Sequence, residues 1–193
     1  FLDRFVFAFD PSHAGRLTRY ENALRQRSRL LQEGGADPAW LTALDTQMAQ
    51  TGMAIAAARQ DCAQQLQKSC AAAPPGPFPR AQMSVVGTLE NLLANAPALE
   101  VETLFAYQLK ESRARDAQTG GAATGPHKSD LSVYYPDKDM PADQCSTGEQ
   151  KALLIGLVLA HARLIASEKK NPPLLLLDEI AAHLDEARRA ALY

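Results

Sequence analysis

Two adjacent carboxylates, Asp178 and Glu179, end a run of four leucines in "PPLLLLDEIAAHLD", residues 172–185. A strand over Leu174–Leu177, covered on both faces as in a parallel sheet, would carry Asp178 rigidly to the sheet edge, where open α/β folds bind ligands. A carboxylate there can hold Mg²⁺ with part of the ion's water shell retained. Glu179 projects differently and can orient or polarise an attacking water. Taken alone the pattern is weak, because a hydrophobic strand ending in a solvated acid pair reads the same way.

A second segment supplies context. In "CSTGEQKALL" the small polar residues Ser146, Thr147, Gly148, Glu149 and Gln150 open a helix whose apolar stretch runs from Ala152 to Ala166. A helix start presents unpaired N–H groups and a positive dipole, which suits a phosphate. Ser146 could bond a phosphate oxygen, and Gly148 would let the backbone approach closely. The same residues also read as an N-cap, with Ser146 or Thr147 capping and Glu149 in the first turn. The informative feature is the spacing: this helix start lies one helix and a short loop ahead of the Asp-Glu pair.

The elements that must position these residues follow from periodicity and breakers. Phe1–Phe9 suits a short helix or strand, and Asp10-Pro11-Ser12 a turn opening a helix. Leu17, Tyr20, Leu24 and Leu31 then mark a helical stripe over 13–33. Gly34-Gly35-Ala36-Asp37-Pro38 ends that helix and opens a second, with Trp40, Leu44, Met48, Ile55, Cys62 and Leu66 on one face. Two long helices with a short connection predict an antiparallel helical hairpin. "AAAPPGPFP" breaks the second helix. A strand is expected near 82–89, an amphipathic helix over 99–116 and a short strand around 131–135. A helix as apolar as 152–166 must be buried. The last third thus predicts half of an α/β nucleotide-binding core.

Composition sets outer bounds. The chain has 193 residues, 46% hydrophobic and 22% charged, with a formal net charge of −2. No overall basic field points to nucleic acid, so any such contact must come from local patches. Three cysteines, Cys62, Cys70 and Cys145, have no paired spacing and fit a reducing cytoplasm. The apolar run Ala152–Ala160 is too short to span a membrane. The chain begins at Phe1 and ends within an apparent helix, and is expected to be an internal segment of a longer protein.

The order of signature-like loop, helix, acid-ended strand and "AAHLD" is similar to that of ABC-type ATPases. In that arrangement the acid-ended strand is a Walker B motif, and His183, Leu184 and Asp185 form a D-loop in which Leu184 packs and Asp185 lies near a partner subunit. Within that superfamily the chain resembles the RecF family, part of the SMC/Rad50-like branch. "FLDRFV", "YENALRQRSRLL", "GPHKSDL", "CSTGEQKALL" and "LLLLDEIAAHLD" carry the resemblance in order, along nearly the whole chain. Cys145 and Glu149 depart from the broader Leu-Ser-x-Gly-Gln signature, and His183 from the small or acidic D-loop residue.

The resemblance implies an α/β fold, an ABC-type (P-loop NTPase) half-lobe over 118–193 with a helical-arm lobe over 1–117. It implies ATP and Mg²⁺ as cofactors, Asp178 on the metal, and Glu179 as the catalytic base. Ser146, Thr147, Gly148, Glu149 and Gln150 would bind the ATP of the opposite protomer, so that ATP joins two chains as a homodimer. It further implies binding to single-stranded or gapped DNA, RecR/RecO-type mediator partners, a role in repair, replication and the SOS response, and a cytoplasmic location. The whole protein would be a weak DNA-dependent ATPase, and this stretch alone inactive.

The phosphate-gripping glycine loop of such a site is not legible here. Gly120-x-x-x-x-Gly125 is followed by Pro126-His127, which places Lys128 two residues too far on. The resemblance places that loop ahead of residue 1, and "GPHKSDL" reads as a solvated turn. Arg16, Arg19, Arg25, Arg27 and Lys128 are the candidate DNA contacts, although basic residues on amphipathic helices commonly just face solvent. Two other readings stay open: a different SMC-like or ABC-type ATPase, and a non-hydrolysing DNA- or partner-binding module.

Overall fold

The computed structural model describes residues 1–35, 37–177 and 184–192. Its helices are α1 (Leu2–Phe7), α2 (His13–Glu33), α3 (Pro38–Ala71), α4 (Thr88–Leu93), α5 (Ala98–Glu111), α6 (Arg113–Thr119), α7 (Thr147–Lys169) and α8 (Glu186–Ala190). Strands β1 (Gln82–Val86), β2 (Asp130–Tyr135) and β3 (Met140–Pro141) form one sheet in the order β1-β2-β3. β2 and β3 run antiparallel, Tyr134 opposite Pro141 and Tyr135 opposite Met140.

The chain folds as two compact units, Phe1–Gln60 with Val85–Asp130 and Asp61–Ser84 with Leu131–Tyr193. This division differs from the sequence boundary at 117/118. The helix α3 is continuous across the first division point, and the segment after it belongs with the C-terminal residues. Proximity in space, not order in the chain, defines the units.

In the first unit α2 and the opening turns of α3 share a core of Tyr20, Ala23, Leu44, Met48 and Ile55, closed by Val101, Phe105 and Leu109 of α5. The sharp reversal between α2 and α3 uses Gly34 and Gly35, both at φ 71°, a region glycine enters without steric cost. Trp40, placed on the buried stripe by periodicity, is 54% exposed at the helix start. The amphipathic segment after position 98 is not one helix. Ser112 separates α5 from α6, and its Oγ donates to Leu109 O and to Asp116 Oδ2. A serine whose hydroxyl bonds the backbone carbonyl three residues back competes with continuous helix, which explains the break.

In the second unit Leu66, Ala152, Leu153, Leu157 and Ala160 are buried. Ser69 Oγ of α3 donates to Ala160 O of α7, and the proline-rich segment crosses Gly156 so closely that a Cβ would sit 3.0 Å from Pro79 O. By length and composition alone α7 could cross a membrane, yet six of its residues are buried within the fold. It is not buried all round, since Leu154 is 45% exposed. Burial pushes the Cys62 thiol up to about 12, so this sulfur stays protonated and unreactive.

One expectation is overturned. Leu174–Leu177 form no strand, and Leu174 and Leu176 are 94% and 95% exposed. A central parallel strand exists only through hydrogen bonds to strands on both sides, and among the described residues the sheet contains only β1, β2 and β3. The apolar run has side chains suited to burial, but among the described residues no strand pairs with it.

Candidate functional site

The start of α7 is built from its own side chains. Ser146 is the N-cap in extended conformation and forms a capping box with Glu149. Glu149 Oε2 accepts from Ser146 N at 2.9 Å and from Ser146 Oγ at 2.7 Å. Gln150 Nε2 donates to Cys145 O at 3.1 Å and Asp143 O at 3.3 Å, tying the helix to the loop before it. Buried Cys145 directs its sulfur to Pro141 O. The loop is therefore held open in one shape, with Ser146, Thr147 and Gly148 exposed at its tip. A helix start leaves its first N–H groups without intrahelical acceptors, and a Cβ on Gly148 would meet nothing within 4 Å. Outward-facing N–H groups, a hydroxyl and an open glycine fit an anion such as a nucleotide phosphate.

The capping reading holds: Ser146 caps the helix, and the same end stays accessible. Glu149 is the element that conflicts with an anion, and the structure offsets it. Lys138 Nζ donates to Glu149 Oε1 from the turn at Pro136–Lys138. That ammonium, then the Ser146 donors, lowers the Glu149 carboxyl to about 2. A depressed acid contributes stability that is complete above its unfolded value of about 4.3 and is lost as pH falls towards the folded value. A carboxyl-detected NMR titration should therefore show Glu149 ionised at pH 4. Lys138→Gln should raise its midpoint towards the ordinary range, and an unmoved midpoint would show that Lys138 does not set it. Lys138 was not a sequence candidate, because only the turn that brings it back to α7 reveals it.

Asp178, Glu179 and His183 lie outside the described residues. Among the described residues no cluster of three or more His, Cys, Asp or Glu side chains could hold a metal ion. Leu184 is 6% exposed. Asp185 is the N-cap of α8, where its Oδ1 accepts from Arg188 N at 2.8 Å. Arg188 Nε in turn donates to Pro77 O.

The arginines of α2 separate by helical face. Arg19 and Arg25 are exposed, and Arg16 pairs with Asp10. Arg27 is fully buried, which corrects its assignment as a DNA contact. Its Nε donates to Asp45 Oδ1 at 2.6 Å, Nη1 to Asp116 Oδ2 at 2.8 Å and Nη2 to Leu109 O at 2.5 Å. Its place on the inner face of α2 puts the guanidinium among two carboxylates instead of in solvent.

"GPHKSDL" is likewise not a merely solvated turn. Gly125 stands at φ 145°, where a Cβ would sit 2.2 Å from the Tyr20 hydroxyl. Tyr20 OH and His127 Nδ1 are 2.7 Å apart, and His127 Nε2 lies 3.0 Å from Ala122 O. The carbonyl can only accept, so Nε2 carries the proton and Nδ1 accepts from tyrosine. Although part of the ring reaches solvent, desolvation lowers the His127 pKa and favours this neutral form. Arg59 Nη1 donates to Pro126 O and its Nη2 to Asp3 Oδ2, so "FLDRFV" and "GPHKSDL" are joined through one arginine. Ser129 Oγ donates to buried Glu90, and Lys128 and Asp130 of this segment are exposed.

No family model matches the chain. It is 52% identical over its full length to the DNA replication and repair protein RecF of Mesorhizobium japonicum, covering 51% of that protein. With the protein of the same name from Rhizobium rhizogenes the identity is 50%, covering 52%. A solved structure of the recombination mediator protein RecF with ATP shares the fold, with a TM-score of 0.78 at 21% identity, over 99% of this chain and 52% of that one. The chain thus spans about half the length of the curated relatives it matches. With half its residues identical to those relatives from end to end, and with the same fold, the chain belongs to the RecF family.

Proposed function

We propose that the natural protein is an ATP-dependent DNA-binding protein of replication and recombinational repair, with the exposed start of α7 as a cap on the nucleotide of a second copy. The observation that carries this reading is the shape of that start: Ser146, Thr147 and Gly148 stand open at a preformed helix N-terminus, in a member of the RecF family. ATP held by one chain would complete its phosphate contacts on the other, so nucleotide and homodimer form together. Asp178 would hold Mg²⁺, and Glu179 would orient the attacking water. Lys138, by neutralising Glu149, keeps the cap compatible with an anionic phosphate. Asp185, at the start of α8, would lie near the partner chain, as a D-loop residue does. Single-stranded or gapped DNA, RecR/RecO-type mediators, the SOS response and a cytoplasmic location complete the reading, with slow, DNA-dependent turnover.

The test separates capture from closure. Ser146→Ala removes one hydrogen bond to a charged group, worth about 1.5–3 kcal/mol, which corresponds to roughly tenfold or more in association. Light scattering of the natural protein should show mass doubling with ATP, and Ser146→Ala should need correspondingly more protein to double. Binding of a fluorescent ATP analogue to the single chain should hardly change. Equal loss of both would place Ser146 in the chain's own nucleotide pocket and remove the shared-site reading.

A further inference from the structure

The first unit carries an open groove of about 680 Å³ between α2, α6 and the turn at Pro126–Lys128. Along α2 it is lined by Arg25, Ser28, Arg29 and Gln32, which fall at steps of three, four and seven and so share one helix face. Opposite them stand Arg115 of α6 and Lys128 of the turn. Four cationic side chains line it, and none of the groove's described residues is acidic. That segregation is not the chain's average, which has 22 Asp and Glu against 20 Lys and Arg. Of the neighbouring carboxylates, Glu33 pairs with Arg29 on the exposed side of α2, Asp116 is buried and held by Arg27, and Glu21, Glu111 and Asp130 do not line the groove. Arg25 donates to Asn22, a neutral partner that leaves its charge available.

The backbone at the rim is also suited to a charged visitor. α6 ends at Gly120 in the left-handed region, φ 78°, and a Cβ on Gly121 would meet nothing within 4 Å. The rim carries no side chain there, so a ligand backbone can come close. Arg25 and Arg29 rise about 6 Å apart along α2, close to two phosphate steps of a DNA strand at about 3.4 Å each. A small anion would need donors converging on one enclosed point. Cations spread along an open track instead fit a ligand that repeats its negative charge.

We infer that this groove binds the phosphodiester backbone of DNA, with Arg25, Arg115 and Lys128 as the principal contacts. The inference deepens the DNA-binding reading above and rests on it. The first helical arm becomes a DNA contact region, assembled from α2 and α6, with the Tyr20–His127 pair holding the turn that carries Lys128. Arg19, also on α2, does not line the track.

Fluorescence anisotropy of the natural protein with labelled single-stranded and junction oligonucleotides, across a salt series, tests this. Removing two phosphate contacts in Arg115→Gln/Lys128→Gln should weaken binding about tenfold or more and lower the log–log salt slope by about 1.5. Lys110→Gln, which deletes one charge at an exposed position of α5 outside the groove, should bind like the unmodified protein. Unchanged affinity and slope in the double variant, with the unmodified protein binding normally, would overturn the groove and leave the DNA reading standing. A Lys110→Gln loss as large as that of the double variant overturns the groove in favour of a diffuse basic field. Loss of an acidic protein partner at unchanged DNA affinity also overturns it. Absence of DNA binding by the unmodified protein removes both proposals.

Discussion

Arg27→Ala is expected to destabilise the protein by about 3–5 kcal/mol, the cost of leaving a buried charge without its partner. Asp116 would keep only the Ser112 hydroxyl at 2.6 Å and the Ala123 N–H at 3.2 Å. Asp45 would keep Arg113, whose Nε reaches Oδ2 at 2.9 Å, so most of the loss falls on Asp116, while the Leu109 carbonyl is left with the Ser112 hydroxyl. At a urea slope of about 1–3 kcal/mol per molar, the midpoint should fall by about 1 M or more with the slope unchanged. Arg27→Lys should not restore it, because a single ammonium cannot span three acceptors that a planar guanidinium serves in fixed directions. DNA affinity, corrected for the fraction folded, should stay as it was. A fully stable Arg27→Ala protein with weakened DNA binding would return this arginine to the surface role its sequence position suggested.

That arginine marks where sequence reading reaches its limit. Helices α2 and α3, the reversal at Gly34-Gly35 and the stop at the proline-rich segment were legible because their signals are local: periodicity, caps and breakers. The Ser146–Glu149 capping box was legible for the same reason, being a four-residue pattern. Arg25, Arg27 and Arg29 look alike in the sequence. They differ only in what faces them, and the partners of Arg27 lie 18, 82 and 89 positions away. The Lys138–Glu149 pair and the Arg115 side of the groove depend on turns that return the chain to itself, and no local pattern encodes them. Leu174–Leu177 show the converse limit. Side-chain type tells that a segment suits burial in a sheet, but only neighbouring strands can bury it, and among the described residues the sheet of β1, β2 and β3 does not include it. The roles proposed for Asp178, on the metal, and Glu179, as base, therefore rest on chemistry and order alone, with the α7 start as their nearest described support.

Glu179→Gln is expected to lower ATP turnover by the natural protein about 10²–10⁴-fold, the range a positioned proton acceptor contributes. Glutamine keeps the length and shape of the side chain but cannot take a proton from the attacking water. The loss should fall on kcat, with KM little changed, because the removed interaction is made in the transition state and not in nucleotide binding. ATP-driven doubling of mass should survive and last longer, since a closed pair that cannot hydrolyse has no route to reopening through product. Ser146→Ala should do the opposite, weakening the pair while a pair once formed still turns over. This crossed pattern is what a site divided between two chains requires: one residue acts on the bound nucleotide, and the other decides whether the second chain arrives. If Glu179→Gln leaves turnover intact, the acid-ended leucine run is a solvated chain segment and not the metal corner of an ATPase. If Glu179→Gln abolishes association as well as turnover, the two carboxylates build the nucleotide pocket itself, and the division of labour between Glu179 and Ser146 is wrong.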